Sequence, residues 1–329
     1  MVPKSRLARI LGLAVAATLL SVPARAADIN RYLPVDTETV VTFNIRQILG
    51  SQLAKKNGLE QLRDLIKSQE EVDAVLKDLG LDPLKDIDKI IVAAPATGEQ
   101  DKGLVIVHGS FKLDKFKTRA EKAAKDNKDT FKIHKVKDGQ GGEHTVYEIA
   151  VSAQGNSQTF FAGFADRTTL LAAPAKDYLI DGLKVKDATK VKLKNQAFQD
   201  LLAKADDQQS LSIATTGEAL TKSQLAEPIK EFLPKINAVV GGITFTDGIK
   251  MEFAVATKKP VDAKQIQEGI EKGLGTAKIL LNLAAMNMKE LAPVVGIVES
   301  IKINTKEATV TIKGEVSGET LNKLIPKDQ

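Results

Sequence analysis

The sequence predicts an α+β protein with two similar βαββαββα halves. Each half should hold an antiparallel sheet with helices packed on one face. Three observations carry this. Short β-branched runs alternate with longer stretches of three-and-four apolar spacing. Most strands come in pairs around turn residues, which implies hairpins. The two parts of the chain also share one order of elements, which reads as an internal duplication. Within that order, βαββαβ is the succession of a ferredoxin-like unit.

The run from Thr39 to Ile45 is β-branched and reads as a strand. Apolar residues then recur at helical spacing over 46–79, until Gly80 and Pro83 stop the helix. Strands follow at 87–94 and 103–110, then a Lys- and Ala-rich helix at 114–127. Strands 130–137 and 143–151 flank the turn 138–142, a further hairpin spans 157–173, and a helix at 175–184 closes the half. The second half reads as helix 195–204, strand 210–216, helix 218–233 and strand 236–246. Asp247-Gly248 is a strong hairpin turn into strand 249–257. Pro260 opens a long helix to about Met288, and strands 297–304 and 307–315 precede a short last helix. The expected divisions are 1–26, 27–188 and 189–329, with a Lys-rich connection near 186–194.

Residues 1–26 have the three parts of a secretory signal. Lys4, Arg6 and Arg9 precede an apolar run from Ile10 to Leu20, too short to span a membrane, and Ala24-Arg25-Ala26 is a small-residue cleavage site. The chain is expected to be exported by the Sec route and to act in the periplasm or outside the cell. Removing this segment takes four basic residues and no acid, so the formal charge falls from +5 to +1. A near-neutral chain has no global pull toward nucleic acid or anionic membrane. The absence of cysteine excludes disulfides and thiolate chemistry.

The segment Arg31-Tyr32-Leu33-Pro34-Val35-Asp36-Thr37, followed by a strand and then Asn44-Ile45-Arg46-Gln47-Ile48, resembles a group of uncharacterised exported bacterial proteins of planctomycete type. Their pattern is L-P-x-D-[ST] before a strand, then Asn-x-[RK]-x-[IL]. The resemblance covers the first 80 or so residues after the signal and implies no activity. Physically, Pro34 holds an extended approach and Asp36 with Thr37 can turn on the local backbone.

Few side chains suggest chemistry. His134 and His144 lie on the arms of one hairpin, with His134 expected opposite Val146 and His144 opposite Val136. They would share a sheet face while Glu143 points away, so a zinc site lacks its third ligand. His108 near Ser110 has no nucleophile elbow and no orienting acid. Asp82, Asp86 and Asp88 lack calcium-loop spacing and read as helix-end acids. Gly269, Gly273 and Gly275 follow a helix start and lack a phosphate-loop Lys, so they read as close-packing or weakening positions. No cofactor is implied and the chain reads as non-enzymatic.

Two surfaces are candidates for binding. Residues 112–137 hold ten bases against four acids, and Lys112, Lys115, Lys117, Arg119, Lys122 and Lys125 form a possible docking surface for an anionic envelope polymer or protein. Residues 60–88 hold nine acids against four bases, so the chain is dipolar if the two blocks face apart. The apolar stretch 277–288, with Ile279, Leu280, Leu283, Met286 and Met288, reads as a helix buried on several sides. The alternatives are a seam between halves, a dimer seam or a wall of an amphiphile groove. The expected function is therefore binding or assembly, with partner or self, and the alternative is a carrier or sensor of an apolar small molecule. A hydrolase without a recognisable motif ranks behind both.

Overall fold

The computed structural model describes residues 30–324 except 59, 61–62, 65–75, 78, 100, 138–141, 154–155, 186–190, 224–228 and 289–291. The signal segment, most of the helix expected at 46–79 and part of the connection at 186–194 lie outside these residues.

The elements run β1 (Thr37–Phe43), α1 (Ile45–Gly50), α2 (Pro83–Asp86), β2 (Ile87–Pro95), β3 (Leu104–Gly109), α3 (Leu113–Asp126) and β4 (Phe131–Lys137). Next come β5 (Glu143–Ala153), β6 (Asn156–Asp166), β7 (Thr169–Ala173), α4 (Lys176–Leu183) and α5 (Gln196–Leu202). The chain ends with β8 (Leu211–Thr216), α6 (Gly217–Thr221), β9 (Ile236–Phe245), β10 (Ile249–Thr257), α7 (Pro260–Asn287), α8 (Ala292–Ser300), β11 (Lys302–Lys306), β12 (Thr309–Val316) and α9 (Gly318–Leu324).

All the strands join one antiparallel twelve-stranded sheet, in the order β11-β12-β10-β9-β8-β1-β2-β3-β7-β6-β5-β4. The α+β class and its antiparallel sheet match the expectation. The strand order does not match a ferredoxin-like unit, because β1 pairs antiparallel with both β2 and β8 rather than parallel with a third strand. The β1–β8 ladder, centred on Val41 opposite Ile213, makes the two halves one continuous sheet. Outward from it the orders are β1-β2-β3-β7-β6 and β8-β9-β10-β12-β11, with β5 and β4 added beyond β6.

Register explains where the helices go. One row of paired residues crosses the whole sheet: Ile133, Tyr147, Ala162, Ala172, Val105, Val92, Val41, Ile213, Gly241, Phe253, Ile312 and Ile303. Paired residues share a face, so this row defines a continuous apolar back face. Helix α3 buries Phe116, Ala120 and Ala123 on that face against Phe131 and Tyr147. Helix α7 buries Ala263 and Ile266 on it at the other end, against Val255 and Val310. The front face is apolar from Ala214 of β8 across to Val146 of β5 and Val136 of β4, and carries ion pairs at the β10–β12 end. In its apolar part Ile91, Leu104, Ile106, Leu171 and Ala214 pack with Leu179 and Leu183 of α4 and Phe198 and Leu202 of α5.

Helices thus cover the back at both ends and the front in the middle, which corrects the expectation of a single covered face. The cause is visible in the strands. In β10 and β12 the back-facing residues are apolar, while Lys250 pairs with Glu315 (3.3 Å) and Glu252 with Lys313 (2.6 Å) on the front. Such cross-strand ion pairs suit a wet face.

Two further differences concern helices. The Val/Ile-rich stretch before β11 reads as the start of a strand but forms α8, packed on α7 and β12. Tertiary packing overrides β-branched propensity there. Of the helix expected over 218–233, the described residues show the short α6 and a 3₁₀ turn at Leu233–Lys235, while 224–228 lie outside the described residues.

Candidate functional site

The long helix α7 changes character along its length. Its first three turns put Ala263, Ile266 and Ile270 into the core. Gly269 lets the Phe232 ring approach closely, since a Cβ there would lie 2.5 Å from Phe232 Cζ. Gly273 and Gly275 have nothing within 4 Å of such a Cβ. Of the three glycines, one serves close packing and two face open space.

Beyond Gly273, Leu274, Ala277, Leu281 and Ala284 are half-buried on the side that meets α8. The opposite side is bare. Ile279, Leu280, Leu283, Met286 and Met288 are between 52% (Met288) and 80% (Met286) exposed. They make up five of the seven exposed large hydrophobics among the described residues. The expectation of a helix buried on several sides is therefore corrected. Apolar residues do surround the helix, but among the described residues only one side of this segment finds a partner. The last charged pair before the bare segment is Lys278–Glu299, which ties α7 to α8 at 2.7 Å. From Ile279 to Met288 there is no charged side chain.

The basic surface is placed differently. Lys112, Lys115, Lys117, Arg119, Lys122 and Lys125 are all exposed on or beside α3. Helical spacing sets Lys112, Lys115, Arg119 and Lys122 along one stripe and aims Lys117 and Lys125 elsewhere. Arg119 Nη1 donates to the Lys77 carbonyl (3.0 Å), and Leu79 packs with Phe116. Lys77 and Leu79 therefore lie beside the basic helix, while four of the nine acids of 60–88 fall at 65–75 and 78, outside the described residues. Among the described residues the five lysines of this set form no ion pair.

The histidines do not converge. His134 stands opposite Val146 and His144 opposite Val136, as expected. His134 Nε2 lies 2.7 Å from Glu148 Oε2, and Lys132 Nζ donates to Glu148 Oε1 at 3.0 Å. The Lys132 ammonium first, then His134, holds the Glu148 carboxyl below its ordinary value. Among the described residues no group of three or more His, Cys, Asp or Glu could hold a metal ion. His108 accepts from Asn30 Nδ2 at Nε2 (2.6 Å) and faces Thr169 Oγ1 at Nδ1 (3.3 Å). Burial, then Lys89, pushes its pKa down, which favours the neutral ring.

Asn30 belongs to a clamp that ties the first described residues to β3 through His108 and to β6 through Asp166. Arg31 Nη2 donates to the Tyr32 hydroxyl (2.7 Å) and to Asp166 Oδ2 (3.2 Å), and the Tyr32 hydroxyl donates to Asp166 (3.1 Å). The following motif residues are local devices. Thr37 donates to the Pro34 carbonyl through its hydroxyl (2.7 Å), and Asn44 caps α1 by accepting from the Gln47 N–H (3.1 Å). Asp82 caps α2, Asp86 accepts from the Asp82 N–H, and Asp88 pairs with Arg46 at 2.7 Å, so the three carboxylates are spent separately.

Among the described residues no helix is long and apolar enough to cross a membrane. The class defined so far is an antiparallel α+β sheet protein with one bare apolar helix face. No family model matches the chain, and no curated protein matches it. Among solved structures, one described as "Structure of crystal form I of TP0453" is similar, with a TM-score of 0.48 and 11% identity over 91% of this chain and 96% of that chain.

Proposed function

We propose that this is an exported, non-catalytic binding or assembly protein that docks through the apolar face of α7. The bare run at Ile279, Leu280, Leu283, Met286 and Met288 carries the reading. An exposed lysine stripe is content in water, whereas burying a Leu, Ile or Met side chain gains about 1.5–3 kcal/mol. Export rests on the signal-like first 26 residues, and the matching strand orders on either side of β1–β8 support a duplicated ancestor. A photo-crosslinking residue at Leu283 in the exporting cell tests the docking. The expected result is an adduct from position 283 and none from Lys117. An unreacted Leu283 probe would remove the reading.

A second reading, transport or sensing of an apolar small molecule, draws on the half-buried Val41, Val92, Val105 and Ile213 in the middle of the back face. Native mass spectrometry of protein taken from its own envelope distinguishes it, since a carrier retains a ligand of defined mass.

A further inference from the structure

Resting on that docking reading, we infer that the partner of the α7 face is a second copy of this chain, paired helix against helix about a two-fold axis. The spacing comes first. Ile279, Leu283 and Met286 follow one another at four and three residues, the interval that keeps apolar side chains on one seam between two helices. Leu280 flanks the seam, and Gly275 and Thr276 continue it with small side chains toward the N-terminus. With nothing within 4 Å of the position a Gly275 Cβ would take, another backbone can come close there.

Charge favours a copy over a lipid surface. Helix α7 carries three acids (Asp262, Glu268, Glu271) and three bases (Lys264, Lys272, Lys278). It lacks the excess of Lys and Arg that draws an interfacial helix to anionic headgroups, and its bare face has no aromatic residue. Set on an identical helix, the seam brings no charge out of water and opposes no like charges.

The sheet itself is poorly suited to self-association. Its edge strands, β4 and β11, carry Lys132, Lys135 and Lys137 and Lys302 and Lys306, and lysine on an edge disfavours strand addition. Area sets the strength. A bare patch of this kind amounts to roughly 300–600 Å² per chain, so a pair buries on the order of 1,000 Å², the low end for a specific interface. The pair is therefore a reversible one, with a mass that rises with concentration.

The experiment is sedimentation equilibrium of the protein purified from the exporting cell, over a hundredfold concentration range. The expected result is a mass approaching twice the monomer for the wild type and monomer mass for Leu283→Glu and for Leu283→Lys. Mixing those two variants restores the doubled mass, because a two-fold seam sets position 283 of one copy close to that of the other. Circular dichroism melts confirm folding, and Met286→Lys, at the most exposed position of the run, serves as a second disrupting variant. A wild type that stays monomeric throughout overturns the pairing, as does a dimer indifferent to both Leu283 variants. If the monomer's Leu283 probe still crosslinks to a different chain in the cell, the self-pairing falls and the docking reading stands. A probe that reacts with nothing removes both.

Discussion

Helices α3 and α7 occupy corresponding places. Each follows a β-hairpin, β2–β3 or β9–β10, and each packs a small-and-apolar stripe on the back of the same sheet. Outwardly they differ. Helix α3 is 14 residues long with lysines on its exposed side, whereas α7 runs 28 residues and carries bare Ile, Leu and Met on its second half. A helix of 28 residues spans about 42 Å, longer than the roughly 33 Å of a ten-residue strand, and among the described residues it packs on α8 as well as on β10, β11 and β12. The same place on the sheet thus serves core packing in both halves, and of these two helices only α7 extends beyond it with exposed apolar residues.

The comparison is sharpest in the core. Phe116 of α3 meets Phe164 edge-on at 4.8 Å and Tyr147 at 5.1 Å, and Phe116→Ala is expected to cost about 3–5 kcal/mol. Ile266→Ala in α7 removes a smaller buried side chain and should cost about 2–5 kcal/mol. Because β1–β8 makes one sheet, both variants should shift a single denaturant transition of unchanged slope. Two separated transitions would show that the halves unfold independently.

The inner sides of these helices were legible in the sequence and the outer side of α7 was not. The alternation Ile249, Met251, Phe253, Val255 marks the back face of β10, and the turn at 138–142 sets His134 opposite Val146. The same register put Glu148, two residues from Val146, on the face of His134. Glu148, rather than the sequence-adjacent Glu143, is therefore the carboxylate that His134 meets. The bare face of α7 was not legible, because apolar residues all round a helix read as burial. Only the tertiary arrangement shows that α8 covers one side. Likewise α8 is Val- and Ile-rich and looks like a strand until its packing on α7 is known.

A smaller effect is expected at the clamp near the start of the first half. Tyr32→Phe removes the hydroxyl shared by Arg31 and Asp166 and should cost about 1 kcal/mol. Burial acts to raise the Asp166 carboxyl, but hydrogen bonds led by those from Thr168 outweigh it and hold the pKa below the ordinary value. His108 is pushed down by burial. Both folded values lie below the unfolded ones, so both contributions are present at higher pH and are lost on acidification. The His108 contribution begins to fall near its unfolded value of about 6.5, and that of Asp166 below about 4. Protection factors from hydrogen exchange at Tyr32 and Leu33, taken against the intrinsic rate at each pH, should fall on acidification across that range and change little in the core of α7. An equal fall in both regions would contradict a local clamp.

Smaller again is the effect of glycine within α7. Gly273→Ala adds a methyl group into open space and removes the backbone freedom that weakens a helix, so stability should rise by up to about 1 kcal/mol. Gly269→Ala, under the Phe232 ring, should lower it. A loss at both positions would mean that a neighbour covers Gly273.

The least change is expected on the basic side of α3. Lys117 and Lys125 are exposed and form no ion pair among the described residues, so replacing both with Gln should move stability by no more than about 0.5 kcal/mol. The double variant should also keep the concentration-dependent mass of the wild type, since α3 takes no part in the α7 seam. If instead the mass falls to that of the monomer, the lysines hold the assembly together, and their neighbours would be the acids of 60–88 on another copy. Added salt then separates the two cases. It weakens an exposed lysine–acid contact as the screening length falls from about 10 Å at 0.1 M to about 3 Å at 1 M and leaves an apolar helix seam intact or strengthened.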